Sequence, residues 1–326
     1  MKIHAEFFRG GISAPFGFEP LASTKLSKWV NSPRASLTSP IAAGYPQTLN
    51  SLQSLRSMYS YEGARFASAA LESYSTVRSR WGNPEDRDGL GWKLVSLYYS
   101  AYYAGHAILR LSGVTVTRIE NWKNTEAEFN TLYASPTIPT LGLRAGDHIL
   151  QLDRSGTSVT IAKANVDSSK GSHTALWRAF KELADIAYRN PALNTSLHQA
   201  AFGEYMQKVS TALTIDGTRC DWPWMSVIRN RINYQLPDEV WGPLTKRITP
   251  SANKRIHQLL DSPSNATIIE AAGDNAMWLR FSGACLYMLS LLAHLLLDME
   301  LRADSRLFLP PLYKQRVSII SRLCTL

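Results

Sequence analysis

The chain has 326 residues, of which 45% are hydrophobic and 10% aromatic, enough for the core of a globular protein. Its 35 basic and 26 acidic residues leave a net charge of +9, which favours an anionic partner such as nucleic acid over an acidic protein or a cationic ligand. Three cysteines, Cys220, Cys285 and Cys324, stand far apart and match no zinc spacing, so we expect free thiols in a reducing, cytoplasmic compartment.

The first part of the chain carries little regular pattern. Residues 1–50 are rich in Pro, Gly, Ser and Thr, which predicts an irregular N-terminal arm without a fold of its own. The opening string MKIHAEFFRGG has no apolar stretch followed by a small-residue cleavage site, so no secretory signal is predicted. Two helices are predicted next, over Leu52–Arg80 and Asp88–Ser112, and Gly113 suits the position just after the second.

The second predicted helix contains the string GWKLVSLYYSAYYAGHAILRLSG, in which pairs of tyrosines stand four residues apart. Ala101, Ala104 and Gly105 leave a smooth strip against which another helix can pack closely. His106 and Arg110 share one face and are candidates for binding nucleic acid in a polar groove. The alternative is a core helix whose tyrosines form hydrogen bonds across the bundle, with His106 as a structural residue.

A change of pattern between Gly142 and Ala164 predicts a β-hairpin, because HILQLD and TSVTIAKA alternate like strands around a polar turn. Further helices are predicted over His173–Arg189, His198–Thr214, Asp221–Leu236, Ser251–Leu260, Asn275–Ala303 and Pro311–Leu323. The link Ser262–Thr267 is predicted to be a loop. We therefore expect one mainly α-helical domain over residues 51–326, with the hairpin inserted at about 142–164.

The helix at Asp221–Leu236 is marked at both of its ends. Asp221 is a good N-cap, Pro223 suits the first turn, and Pro237 forbids continuation. Trp224 and Ile228 are predicted to contact the bundle, and Val227 and Ile232 to extend that contact. A helix that only packs would carry fewer polar residues than this one, which has Arg229, Asn230, Arg231, Asn233, Tyr234 and Gln235.

An uncharged run of seventeen residues, Phe281–Leu297, is at the short limit for a membrane span. It contains Ser282, Ser290 and His294, and its helical pattern continues through charged residues on both sides. These features predict a central helix of a soluble bundle, and a membrane-associated protein is the alternative.

The Tyr- and Ala-rich second helix, taken together with the capped helix that bears Arg229 and Asn230, resembles the HEPN superfamily. This superfamily comprises small α-helical bundles of prokaryotic toxins, abortive-infection proteins and CRISPR-associated nucleases. Its motif is an Arg, a polar residue that is often Asn, and a His five to seven positions after the Arg. Here Tyr234, Gln235 and Leu236 occupy those last positions, so the resemblance covers the first two motif residues and not the histidine.

The resemblance implies a metal-independent ribonuclease in which the 2′-hydroxyl of RNA attacks the neighbouring phosphate. Arg229 and Asn230 would bind that phosphate and Tyr234 would stand in for the histidine, with Arg231 and Asn233 as further nucleic-acid contacts. A tyrosine has an ordinary pKa near 10, so it is a weak base at neutral pH and a better hydrogen-bond donor or acid. The resemblance also implies a homodimer with the motif at its two-fold interface, in a defence or toxin–antitoxin assembly.

Two other readings of the same residues remain open. The chain could be a catalytically inactive HEPN-like scaffold or sensor subunit that docks partner proteins through its arm and hairpin. Arg229 could also be a structural arginine that holds a carboxylate or caps a helix. No metal site and no cofactor are predicted, since the histidines form no metal-binding array and no Gly-rich phosphate loop or acyl-transfer serine motif occurs.

Overall fold

The structure is a computed structural model that describes residues 46–47, 52–82, 89–119, 146–152, 159–164, 171–188, 200, 203, 224–234, 249–272, 274, 276–302, 319–320 and 323–324. Nearly all of the predicted N-terminal arm lies outside these residues, as do Cys220 and most of the helices predicted at His198–Thr214 and Pro311–Leu323.

The described residues form a mainly α-helical fold with a small antiparallel sheet, and the predicted fold class is therefore confirmed. The helices are α1 Leu52–Trp81, α2 Leu90–Leu111, α3 Ser172–Tyr188, α4 Trp224–Tyr234, α5 Pro250–Asp261, α6 Asn265–Ala272 and α7 Met277–Arg302. The strands are β1 Pro46–Gln47, β2 Val114–Ile119, β3 Gly146–Leu152 and β4 Val159–Lys163.

Helix α2 lies at the centre of the fold and contacts α1, α3, α4, α7 and β2. Its small residues allow close packing, as the sequence predicts: a side chain added at Gly105 would place its Cβ 3.3 Å from Leu176 Cδ2 of α3. Gly113 ends the helix with a φ of 75°, a left-handed conformation that suits glycine, and its N–H donates to the Arg110 carbonyl at 3.0 Å. The turn leads directly into β2.

The predicted hairpin is present as β3 and β4, but it belongs to a larger sheet with the strand order β1-β4-β3-β2. In the register of the pair that the sequence reading missed, Val114 lies opposite Gln151 and Ile119 opposite Gly146. The Tyr59 hydroxyl of α1 donates to the Leu150 carbonyl at 3.0 Å, which fastens the sheet to the bundle. The sheet therefore packs on the helices and is more than a protruding insertion.

Helix α7 is the apolar helix that the sequence predicts within the core. Its stretch Met277–Met299 is long and apolar enough to cross a membrane by length and composition, and 89% of the window tested is buried inside the fold. At Gly283 an added Cβ would lie 2.5 Å from the backbone nitrogen of Ala272, so the missing side chain allows α6 to pack directly on α7. The sequence reading placed a loop over Ser262–Thr267 and missed the start of α6 there.

Candidate functional site

Helix α4 presents its polar residues beside α2 because its apolar residues are buried. Trp224, Ile228 and Ile232 are each at most 4% exposed, as predicted, whereas Val227 is 38% exposed and does not extend the contact. Arg229 follows Ile228 and is half-buried, while Asn230 is exposed. The helix therefore holds Arg229 at the edge of the bundle, against the tyrosine face of α2.

The guanidinium of Arg229 joins two other helices. Its Nη2 atom donates to the Tyr99 hydroxyl of α2 at 2.8 Å and lies 3.0 Å from His173 Nε2 in the first turn of α3. Its Nη1 atom donates to the Asn230 amide oxygen at 2.5 Å, and its Cζ atom lies 5.5 Å from the Tyr99 ring centroid. Among the described residues no carboxylate pairs with Arg229, and its buried Nε–H has no hydrogen-bond partner. Within the described part of the chain, this cation is thus held in place without an opposite charge.

His173 is held as one neutral tautomer by its two neighbours. Arginine can only donate, so Nε2 of His173 accepts the proton of Arg229 Nη2. The proton of the neutral ring is then on Nδ1, which donates to the Tyr98 hydroxyl at 2.8 Å. Burial, assisted by the charge of Arg229, lowers the pKa of His173 from 6.5 to about 4. His173 is therefore an uncharged hydrogen-bond acceptor at neutral pH.

An aromatic wall fixes the position of His173. The Trp177 indole N–H donates to the Tyr98 hydroxyl at 3.2 Å, and the Tyr102 ring centroid lies 4.3 Å from that of His173. Burial raises the pKa of Tyr98, so this phenol stays protonated across the physiological range. The tyrosines of α2 do form hydrogen bonds across the bundle, as the sequence predicts, and here they orient the imidazole.

A second Arg–His pair lies further along α2. Arg110 Nη1 is 3.0 Å from His106 Nδ1, and Arg110 Nε donates to the Glu62 carboxylate at 2.8 Å. The Arg110 guanidinium also lies over the Phe66 ring, 4.5 Å from its centroid, and the same ring stacks on His106. Burial, then the charges of Arg110 and His173, keep the pKa of His106 well below its ordinary value. Glu62 therefore neutralises the charge of this pair.

The structure brings some of the predicted site residues together and separates others. Arg229 and Asn230 lie side by side, with half-buried Arg231 and Asn233 on the same helix. The side chain of Tyr234 lies outside the described part of the molecule. His106 and Arg110 are only 7% and 4% exposed, so direct contact with nucleic acid, predicted for both, has no support in this geometry. Their contacts fit a structural role behind the tyrosines.

The sequence reading missed His173, which lies 56 residues before Arg229. The HEPN motif has its histidine after the arginine on the same helix, whereas this imidazole comes from another helix. No local pattern marks His173, because its position depends on how α3 packs against Gly105 of α2.

Comparison with protein-family models, with curated proteins and with solved structures gives no significant match for this chain. The interpretation of the site therefore depends on the geometry of its residues.

The chemistry available at this site is that of a fixed cation beside a proton acceptor. Arg229 can bind an anion such as a phosphate, since its planar fork carries a permanent charge that no carboxylate of the described residues cancels. His173 can accept a proton at Nε2 once Arg229 turns towards that anion. Tyr99 accepts from Arg229 through its oxygen and keeps its own proton to donate.

Proposed function

We propose that this chain is a HEPN-like, nucleic-acid-associated protein of a prokaryotic defence or toxin–antitoxin system, and that it cleaves RNA without a metal ion. One observation carries the proposal: Arg229 Nη2 lies 3.0 Å from Nε2 of the neutral His173 imidazole. A cation for phosphate and an acceptor for the 2′-hydroxyl proton stand side by side, which is the pair this reaction requires. His173 takes the role that the sequence reading gave to Tyr234.

In the reaction we propose, Arg229 turns its donors from His173 onto the oxygens of the scissile phosphate. His173 Nε2 then takes the proton of the 2′-hydroxyl, whose oxygen forms a bond to phosphorus while the bond from phosphorus to the 5′-oxygen breaks. The products are a 2′,3′-cyclic phosphate and a 5′-hydroxyl. The 5′-oxygen takes a proton from solvent, and His173 then releases the proton it accepted to solvent, which restores the neutral imidazole. Tyr99 donates to a phosphate oxygen, and Asn230 positions the guanidinium.

Phosphate binding also improves His173 as a base. Its low pKa has two causes, burial and the charge of Arg229, and the second weakens when a phosphate counters that charge. The pKa of His173 therefore rises towards neutrality in the RNA complex, where a general base is most effective.

The resemblance to HEPN proteins adds three proposals about the setting. The chain acts in the cytoplasm, it assembles with a protein partner of the same defence system, and it forms a homodimer that brings two copies of Arg229 towards one groove. Sedimentation or light scattering of the purified chain tests the dimer. A monomer at working concentration would contradict that part and leave the chemistry of a single site in place.

The decisive experiment is incubation of the full chain with labelled total RNA and a structured RNA in EDTA. Wild type is expected to give fragments with cyclic-phosphate ends. Arg229→Ala is expected to lower the rate about 10³-fold, and His173→Gln about 10²-fold or more, with each variant still folded by circular dichroism.

Two matched variants control for loss of an arginine or a histidine elsewhere. Arg255→Ala removes an arginine that pairs with Asp274 on the surface, and His257→Gln removes a histidine bonded to the Gly82 carbonyl. Both are expected to cleave at the wild-type rate. Cleavage that persists in Arg229→Ala, or no cleavage by folded wild type, would refute the ribonuclease. The second outcome would favour the inactive scaffold or sensor and direct the next search to protein partners.

A further inference from the structure

A cavity lies between α1 and α2. The cavity has a volume of about 230 Å³ and is lined by Thr76, Val77, Arg80, Gly89, Trp92, Lys93 and Ser96. This is smaller than the pockets that enclose a drug-sized ligand, which are roughly 300–1,000 Å³, so it suits a single base or phosphate group.

The lining of the cavity combines a large exposed ring with positive charge. Trp92 is 63% exposed, which is unusual for a tryptophan and leaves most of its surface open to a ligand. Arg80 is exposed on the α1 side. Lys93 is only 9% exposed, and its ammonium lies 6.0 Å from the Trp81 ring centroid. An exposed flat ring beside the exposed Arg80 guanidinium is the chemistry that recognises a nucleotide.

The cavity and the Arg229 site are joined by one face of α2. Trp92, Ser96, Tyr99 and Tyr103 follow one another at spacings of four, three and four residues, so they form a single stripe along the helix. Trp92 and Tyr99 are seven residues apart, a rise of about 10 Å along the helix. Tyr99 accepts a hydrogen bond from Arg229. A short stretch of single-stranded RNA spans that distance.

We propose that this cavity is a subsite for a nucleotide of single-stranded RNA next to the scissile phosphate. Trp92 stacks on the base, and Arg80 binds the phosphate of that nucleotide. The assignment to RNA rests on the ribonuclease proposed above. The stacking contact favours unpaired nucleotides, since both faces of a base in a duplex are already covered.

The test measures binding separately from cleavage. The full wild-type chain and its variants are titrated, in EDTA, against a fluorescent hexanucleotide RNA whose 2′-hydroxyls are methylated, so that 2′-hydroxyl attack is blocked. Trp92→Ala is expected to weaken binding about tenfold, whereas Trp92→Phe, which keeps a ring, stays within about threefold of wild type. Arg80→Gln is expected to weaken binding about fivefold and to reduce the salt dependence by about one phosphate contact.

Arg78→Gln is the matched control, because it removes an arginine two positions away on the same helix that pairs with Asp261. It is expected to bind RNA as wild type does. Hexaglutamate, a peptide with the same kind of charge and no base, is expected not to compete. Competition by hexaglutamate that depends on Trp92 would replace RNA by an acidic peptide and overturn the proposal.

The outcomes separate this subsite from the ribonuclease. If wild type binds the RNA and Trp92→Ala and Arg80→Gln bind it equally well, the subsite is wrong and the ribonuclease is untouched. If wild type binds no RNA, the proposed function fails. Titration with adenosine monophosphate then tests separately whether the cavity binds a nucleotide. A shift of the Trp92 indole N–H resonance, assigned through Trp92→Phe, would support a nucleotide pocket, and an unshifted resonance would overturn it.

Discussion

Two Arg–His pairs lie along the tyrosine face of α2, and among their different contacts the carboxylate beside one arginine decides the charge of the pair. In the first, Arg110 contacts His106 and is neutralised by Glu62 at 2.8 Å. In the second, Arg229 contacts His173, and no carboxylate of the described residues pairs with it. Both arginines lie over an aromatic ring and both histidines are held neutral. The same two side chains are structural where a carboxylate closes the pair and can receive an anion where none does.

The largest expected effect follows from breaking the closed pair, in which the Glu62 carboxylate neutralises Arg110 beside His106. Arg110→Met keeps the apolar stem but leaves the Glu62 carboxylate, only 16% exposed, without its guanidinium. We expect a loss of about 3 kcal/mol in the free energy of unfolding, since an uncompensated buried charge is costly. Arg229→Ala should lose less than about 1 kcal/mol, because its pair holds no opposite charge. Urea denaturation of both variants measures the difference.

The double variant Arg110→Met with Glu62→Leu is the control for that comparison. Replacing both charges with apolar groups also removes the carboxylate that has lost its guanidinium, so much of the lost stability should return. If the double variant is no more stable than Arg110→Met, the loss came from packing around Phe66 and not from the charge.

A second change adds a carboxylate to the open pair, Arg229 with His173, and so makes it resemble the closed pair. Asn230→Asp places a carboxylate where the amide oxygen now accepts from Arg229 Nη1, with almost no change of shape. The new charge competes with phosphate for the guanidinium, so we expect RNA affinity and cleavage to fall about 10- to 100-fold. Asn230→Ala, which removes the acceptor and adds no charge, should stay within about threefold of wild type. Equal losses in the two variants would mean that the amide itself matters more than the missing charge.

The third prediction concerns pH and is smaller. The folded chain holds the pKa of His173 at about 4, while the unfolded chain has the ordinary 6.5. Between those values the unfolded state binds a proton that the folded state does not, so the contribution of His173 to stability falls as pH drops from 6.5 to 4. After allowance for solvent screening of this half-buried ring, the effect is on the order of 1 kcal/mol.

Subtracting the pH profile of His173→Gln isolates this contribution from the other low-pKa histidines. NMR titration of the His173 ring gives its pKa directly, and a midpoint near 6.5 would contradict the prediction. In the proposed cleavage, kcat/KM reports the free enzyme and should fall as pH drops below about 4, where His173 becomes protonated. The corresponding fall in kcat should occur at higher pH, because bound phosphate screens the charge of Arg229 and raises the pKa of His173 in the complex.

The two pairs also mark what the sequence can predict. Helix ends were predictable because they depend on neighbouring residues: Thr249 caps α5 by accepting from the Ala252 N–H at 3.1 Å, and Gly113 closes α2. The side-by-side placement of Arg229 and Asn230 was predictable for the same reason, because they are adjacent residues on one helix. The eight-residue helix α6 was missed although its start is marked locally: Ser264 Oγ accepts from the Thr267 N–H at 3.2 Å, and Thr267 Oγ1 accepts from the Ser264 N–H at 3.0 Å.

The partners of each arginine were beyond local patterns. Glu62 lies 48 residues before Arg110 and His173 lies 56 residues before Arg229. Which carboxylate or imidazole reaches each guanidinium depends on how three helices approach α2, and no spacing rule within one helix contains that information. Burial of His106 and Arg110 follows from the same packing, although both look like surface residues of a polar groove in the sequence.

The smallest expected effect tests the Tyr99 ring, which lies against the Arg229 guanidinium and on the same face of α2 as Trp92. Tyr99→Phe removes the hydroxyl that accepts from Arg229 Nη2 but keeps the ring beneath the guanidinium. Arg229 retains its contacts with His173 and Asn230, so it should stay in place and cleavage should fall only about threefold. Tyr99→Ala removes the ring as well and should lower the cleavage rate a further tenfold, because the stripe from Trp92 to the guanidinium is then interrupted.

Steady-state kinetics should place the loss in Tyr99→Phe mainly in KM, since a ground-state phosphate contact is removed while His173 still accepts the proton. A kcat effect as large as that of His173→Gln would instead make the Tyr99 hydroxyl a proton donor in the reaction.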